Sequence, residues 1–376
     1  MRKLRLGMVG GGQGAFIGAV HRIASRLDGQ WDLVAGALSS DPERARASAA
    51  ELGLDPARSY GSYEEMARAE AAREDRIDAV AIVTPNHMHA GPAVAFLDAG
   101  IHVICDKPLA ATPEDGQRIA NAVQRSGKQF ILTHNYTGYP LIRQARAMVA
   151  RGDLGKIRVV QVEYAQDWLA EETQGKQADW RVDPARSGAG GAVGDIGTHA
   201  LNLATFVTGL KLARIAADLD AFVPGRRVDD NTQVLLRFEG GAKGALWASQ
   251  VAVGNENALR LRIYGEEAGI DWAQETPNVM RFARFGKPVQ LITRAGAGAE
   301  DAANRVSRTP GGHPEGYLEG FATVYNEAAH LIRHADHGMP PPEGVHAPGI
   351  EAGLEGMRFI AACVHSSAND AAWTEV

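Results

Sequence analysis

Only two cysteines, Cys105 and Cys363, occur in the 376 residues. That is too few for a disulfide framework or a structural zinc cluster, and it fits a reducing compartment. An excess of positive charge is also missing. Lys and Arg total 39 against 45 Asp and Glu, a net charge of −6 that disfavours nucleic acid and anionic membranes as partners. No apolar run approaches the ~20 residues a membrane-spanning helix needs. Met1-Arg2-Lys3 leads straight into a strand-like run, with no apolar h-region or cleavage site, so a cytoplasmic protein is expected. There is no internal repeat and no low-complexity tract. What remains is the composition of an ordinary globular protein, 45% hydrophobic and 22% charged, at a length that implies two domains.

The apolar run Leu4 to Val9 ends in Gly10-Gly11-Gly12, and helical spacing follows through His21 to Leu27. This reads as strand, tight turn, helix. Further strands are expected over 31–38, 79–83, 102–105 and 130–133, with helices over 41–53 and over 113–126, the latter capped by Thr112. Such alternation implies a parallel sheet covered on both faces. After residue 134 the runs 158–164, 214–222, 232–238, 244–252 and 259–264 follow one another closely, which favours an antiparallel sheet. Glu239-Gly240-Gly241-Ala242 predicts a hairpin between two of them. Helices are expected around 195–208, 317–334 and 350–362, and extended loops over 283–312 and 337–348.

Gly10-Gly11-Gly12-Gln13-Gly14-Ala15 fits G-x-G-x-x-A after a strand, where glycines let backbone amides approach a pyrophosphate at a helix N-terminus. Ala15 and Gly18 both suit the third place. At the end of the second strand an acid would bind the ribose 2′-hydroxyl of NAD, but here stand Ser39 and Ser40. Asp41 reads equally as a helix cap and Arg44 as a solvated helix charge, so NAD and NADP both stay open. Lys107, in Cys105-Asp106-Lys107-Pro108, follows the fourth strand at the carboxyl edge, where a lysine can stabilise a developing alkoxide; its plain alternative is a solvated strand end. Asp195 and His199 are spaced for one face of a helix, so that the carboxylate can orient the imidazole. Alone, that pair reads more readily as a helix-terminal carboxylate and a structural histidine. The preceding Gly188 to Gly191 stretch favours a site, because glycines admit a ligand close to the backbone. Together these features suggest hydride chemistry at an alcohol carbon.

Five ordered motifs carry a resemblance that covers essentially the whole chain. They are Gly10-x-Gly12, Thr84-Pro85-Asn86-His87-x-His89, Asp106-Lys107-Pro108, Trp180-Arg181-x-Asp183-Pro184 and Gly191-x-x-x-Asp195-x-Gly197-x-His199. In this order and spacing the chain resembles the Gfo/Idh/MocA oxidoreductase family. The resemblance implies an α/β protein with a Rossmann domain over 1–133, its parallel sheet doubly wound. A C-terminal α+β domain over 134–376 is implied to hold a large, mostly antiparallel open sheet that makes oligomer contacts, giving a homodimer or homotetramer. It further implies reversible oxidation of a sugar or cyclitol hydroxyl with NAD or NADP; the sequence itself offers no obvious metal-ligand set, so no metal is expected.

Lys107, Asp195 and His199 occupy the family's catalytic positions. Asp106 stands where glutamate is usual and keeps the carboxylate with a shorter reach, while Gln13-Gly14-Ala15 looks like a small insertion in the glycine turn. Cofactor contacts are implied for Gly10, Gly12, Gln13, Ala15, Phe16 and Ile17, for Ser39, Ser40 and Arg44, for Thr84, Asn86 and His89, and for Asp106, Lys107, Trp180 and Arg181. Substrate contacts are implied for Lys107, Asn135, Tyr136, Arg181, Asp195, His199 and His313. Gly14 to His21 and the loop Gly312-His313-Pro314-Glu315-Gly316-Tyr317 resemble the inositol and L-glucose dehydrogenase branch, which points to scyllo- or myo-inositol or a pyranose. Two rival readings are an NAD-dependent glycoside hydrolase that oxidises transiently and a non-catalytic nucleotide sensor.

Overall fold

The computed structural model describes residues 2–172 and 175–376. The chain divides into two compact units, Met1–Asn135 with Phe321–Leu354, and Tyr136–Gly320 with Glu355–Val376. In the first unit five short apolar runs become strands: β1 Leu4–Gly10, β2 Trp31–Ala37, β3 Ala79–Val83, β4 His102–Cys105 and β5 Phe130–Leu132. They pair in parallel in the order β2-β1-β3-β4-β5. Every residue of β3 and β4 is buried, as strands covered on both faces require. Helices α1 Phe16–Leu27, α2 Pro42–Glu51, α3 Tyr63–Ala71, α4 Ala90–Asp98 and α5 Pro113–Ser126 connect them. Local chemistry sets the ends: Asp41, Ser62 and Thr112 each accept the N–H three residues on, and α5 stops at Gly127 with φ +64°. Because the strand order runs outward in both directions from β1, the carboxyl ends of β1 and β3 form the topological switch point at which such sheets bind ligands.

The second unit opens with α6 Pro140–Arg151 and β6 Ile157–Ala165, followed by the one-turn helices α7 Lys176–Asp179 and α8 Pro184–Ser187. A π-helical turn, Val193–Gly197, runs into α9 Thr198–Thr208. Then come β7 Leu212–Asp220, β8 Asn231–Phe238, β9 Lys243–Ser249, β10 Ala258–Gly265, β11 Ala268–Ala273, β12 Val279–Arg284, β13 Gln290–Thr293 and α10 Asp301–Asn304. The chain closes with α11 Tyr317–Asp336, α12 Ile350–Ala368 and β14 Thr374–Glu375. Nine strands form one sheet in the order β13-β12-β11-β10-β6-β9-β8-β7-β14, antiparallel except for the β6/β9 pair. The expected hairpin is present as β8 and β9, with Gly240 at φ +77°.

Strand alternation places this core on one face. Thr232, Val234, Leu236 and Phe238 of β8 are buried, the last three in one core with Leu201 and Leu203 of α9 and Leu141 and Ile142 of α6, while Gln233, Leu235 and Arg237 are exposed. Each such aliphatic side chain contributes about 1.5–3 kcal/mol by leaving water. On the outer face Val159, Leu235 and Tyr264 stay exposed.

The loop expected over 283–312 is corrected. It contains the end of β12, the strand β13 and the helix α10, because β13 is a sheet-edge strand with only Ile292 buried, too little apolar pattern to announce itself. The first unit, moreover, is not one continuous stretch. From Phe321 the chain returns to it, where Tyr325 meets His21 at 2.8 Å, Asp336 meets His102 at 3.0 Å, and Pro348 accepts the Leu132 N–H at 2.8 Å.

Candidate active site

In the first unit the glycine turn is built by close approach. Gly10 and Gly11 hold φ of +79° and +72°, and a Cβ on Gly12 would lie 2.6 Å from the Leu38 carbonyl oxygen. The third glycine place resolves as Gly18, whose Cβ would sit 2.4 Å from the Gly11 Cα, so helix and turn touch through bare backbone. Arg22 donates to the Gly11 carbonyl at 2.6 Å, and the Gln13 N–H donates to Ser48 at 3.1 Å. A cleft of about 400 Å³ lies along this turn, lined by Gly11 to Phe16 with Ser48 and Glu51.

The residues suit a dinucleotide. Helix α1 begins without a side-chain cap and without an acid in its first turn, whereas α2, α3 and α5 have both. Its N–H groups and positive end thus face the turn uncovered, as a pyrophosphate requires. After β2 the Asp41 carboxylate is the cap of α2, taking the Arg44 N–H at 2.7 Å, and Ser40 and Arg44 are exposed.

The remaining expected cofactor residues of this unit also gather at the carboxyl edge. Asp106 takes the Lys107 N–H at 2.9 Å and the Thr133 hydroxyl at 2.8 Å on one oxygen, fixing the backbone that carries Lys107. The Lys107–Pro108 peptide is cis. Asn86 is buried, and so is His89, whose Nδ1 lies 2.9 Å from the Pro108 carbonyl and whose Nε2 lies 2.9 Å from that of Thr84. As a neutral imidazole with a single N–H, His89 can donate to one of these two carbonyls at a time. Next to Lys107, His134 is wholly buried; desolvation and the lysine charge depress its pKa to about 3.

In the second unit the Asp195 and His199 segment is supported from below. The buried Asp229 carboxylate takes the N–H groups of Gly191 at 2.6 Å and Val193 at 2.8 Å and the Thr232 hydroxyl at 2.6 Å. A Cβ on Gly191 would lie 2.0 Å from the Asp229 carbonyl oxygen, so this glycine admits protein backbone at the place where the sequence suggested a ligand. The uniform α-helix expected from 195 is also corrected: Asp195 sits in the π-helical turn and His199 on the α-helix that follows. Turns of this kind recur at functional sites.

Asp195 Oδ2 accepts from Arg181 Nε at 3.2 Å and from Gln250 Nε2 at 2.9 Å. Arg181 lies over the rings of Trp180 at 4.4 Å and Trp168 at 5.6 Å, which restrains its guanidinium. The buried His199 ring meets Tyr136 edge-on at 4.9 Å and Tyr164 at 6.3 Å. Those two hydroxyls are 2.5 Å apart. Since Tyr164 donates to Asn257 Oδ1 at 2.7 Å, Tyr136 must be the donor between them. Burial pushes both phenols above the ordinary tyrosine range, so they hold their protons at neutral pH. Asn257 also takes Gln166 Nε2 at 2.7 Å and donates to Gln274 at 2.9 Å. A carboxylate held by an arginine and an amide, beside an imidazole walled by two neutral phenols, can orient a hydroxyl and accept its proton.

Of the expected substrate residues in this unit, Tyr136, Arg181, Asp195 and His199 thus fall in one network. Asn135 is buried in the first unit, and His313 is exposed in the second. The loop around His313 is organised instead by Glu315, whose Oε1 takes Arg294 Nη1 at 3.0 Å and the N–H groups of Arg308 and Thr309 at 2.6 Å each. Gln250, Tyr164, Asn257 and Asp229 escape sequence reasoning. Among the described residues no cluster of His, Cys, Asp and Glu could hold a metal ion, and no helix is long and apolar enough to cross a membrane.

Comparison with known proteins agrees over the whole length. Residues 4–134 match the family model described as oxidoreductase family, NAD-binding Rossmann fold, and residues 142–271 match the GFO/IDH/MocA C-terminal domain. An oxidoreductase structure from Sinorhizobium meliloti is 53% identical, with 99% of each chain covered and a TM-score of 0.91. An inositol dehydrogenase homologue from Azotobacter vinelandii, solved with NADH and myo-inositol, is 35% identical over 100% of this chain and 98% of its own, with a TM-score of 0.93. Levoglucosan dehydrogenase of Pseudarthrobacter phenanthrenivorans is 29% identical over 88% of this chain and 82% of its own.

Proposed function

Because this chain belongs to the Gfo/Idh/MocA oxidoreductase family and its first unit is an NAD-binding Rossmann fold, we propose that it oxidises a secondary hydroxyl of a cyclitol or sugar. The observation that carries the reading is His199 walled by Tyr136 and Tyr164, with Asp195 held by Arg181 and Gln250. In this reading His199 takes the hydroxyl proton, Asp195 binds and orients the substrate, and Lys107 stabilises the oxygen as its charge develops. The chemistry supplied by bound NAD is acceptance of hydride from the carbinol carbon. The glycine turn and the uncapped start of α1 would hold its pyrophosphate.

Myo- or scyllo-inositol, or a pyranose such as L-glucose, is the substrate class this reading favours. It is supported by the inositol dehydrogenase homologue in complex with myo-inositol and by levoglucosan dehydrogenase. The test is a screen of the purified protein with NAD and NADP against inositols and aldoses, followed by nicotinamide absorbance. Reduction of NAD with at least one polyol is expected; no reduction with any would sink the proposal. The outer face of the nine-stranded sheet, with Val159, Leu235 and Tyr264 exposed, further supports a homodimer or homotetramer. Sedimentation is expected to give one of these masses, and a fully active monomer would reject this part.

A further inference from the structure

A cleft of about 940 Å³ in the second unit shares a wall with the His199 network: Asn257, which holds Tyr164 and Tyr136, also lines this cleft. Its volume lies at the upper end of the range for sites that hold drug-sized ligands, more than a single sugar ring fills. Glu256, Asn257, Gln274, Glu275 and Glu315 are among its lining residues, and no lysine, arginine or histidine is among the described ones. Glu315 is 4% exposed. Its Oε1 is saturated by Arg294, Arg308 and Thr309, yet its buried Oε2 has no hydrogen-bond partner among the described residues. A carboxylate oxygen left without a donor is costly, and a ligand hydroxyl able to reach it would relieve that cost.

We propose that this cleft binds an uncharged, hydroxylated substituent attached to the reacting ring, so that the preferred substrates are glycosides or disaccharides over the free ring. The inference rests on the polyol dehydrogenase reading above. Acceptor-rich walls with net negative charge favour hydroxyl donors and repel uronates and sugar phosphates. Asn257 is the joint: its Oδ1 fixes Tyr164 beside His199, and its own strand start opens onto the cleft.

The test compares myo-inositol with galactinol, and glucose with cellobiose and glucuronate, by kcat/KM and by calorimetric binding to the NAD-loaded protein. Thr276, exposed on the cleft wall, is replaced in Thr276→Trp to fill the space. One two-ring compound is expected to exceed its own single ring by tenfold or more in kcat/KM and in affinity, and glucuronate to fall tenfold or more below glucose. Thr276→Trp should erase the two-ring gain while single-ring turnover stays within threefold, which also reports that the variant folds. Glu256→Gln with Glu275→Gln should narrow the discrimination against glucuronate. Single rings oxidised with no gain from a second ring, or a gain that survives Thr276→Trp, would overturn the cleft and leave the dehydrogenase standing. Two-ring binding lost in Thr276→Trp without any oxidation would do the reverse.

Discussion

His199→Ala is expected to lower kcat by about 10²–10⁴-fold, the usual worth of a positioned general base, while NAD affinity stays within about twofold. The loss should fall on kcat, because the imidazole is buried against Tyr136 and Tyr164 and the glycine turn lies in the other unit. Lys107→Ala is expected to lower kcat about 10²–10³-fold, since an ammonium that stabilises a developing oxyanion acts in the transition state. Its backbone should stay in place, because Asp106 holds the main-chain N–H. Steady-state rates, with cofactor fluorescence titrations on the same preparations, check both. Full activity in both variants would overturn the catalytic assignment. Aglycone release from a glycoside without steady NADH would redirect it to transient oxidation.

Why some of this was legible in the sequence and some not follows from how far apart the interacting residues are. β3 at 79–83, β4 at 102–105 and α5 at 113–126 match the sequence pattern residue for residue, because a buried parallel strand is one apolar run and Thr112 is a local cap. Lys107, Asp195 and His199 could be picked out because their motifs are contiguous. Tyr164, Gln250 and Asn257 could not. They belong to one place only because β10, β6 and β9 are neighbours, with Leu259 opposite Tyr164 and Ala165 opposite Ser249. No local spacing encodes that. In the Gly312 to Tyr317 loop the composition drew attention to His313, yet the buried anchor is Glu315, a choice made by Arg294 from a distant strand end. Likewise Gly191 looked like room for a ligand and is room for Asp229.

Acid is expected to unfold the first unit before it discharges most carboxylates. Four of its histidines, His21, His89, His102 and His134, have pKa values below the ordinary 6.5, in each case chiefly through desolvation. Below pH 6.5 the unfolded chain binds protons that the folded chain refuses, so their contribution to stability is full above that pH and lost as the pH falls toward the folded values. For His134, depressed to about 3, the change from pH 6.5 to 5 alone costs about 2 kcal/mol. The others act in the same direction. The nearby Asp106 favours the charged forms of His21, His89 and His134, but less than burial opposes them. Hydrogen exchange of the β3 to β5 amides at pH 7 and pH 5, corrected for intrinsic rates, should show the protection of this unit falling by tenfold or more. His134→Gln should flatten that dependence, since its amide has no proton to gain. Equal protection at the two pH values in the unsubstituted protein would mean that these rings take up protons without unfolding, contrary to the direction that burial sets.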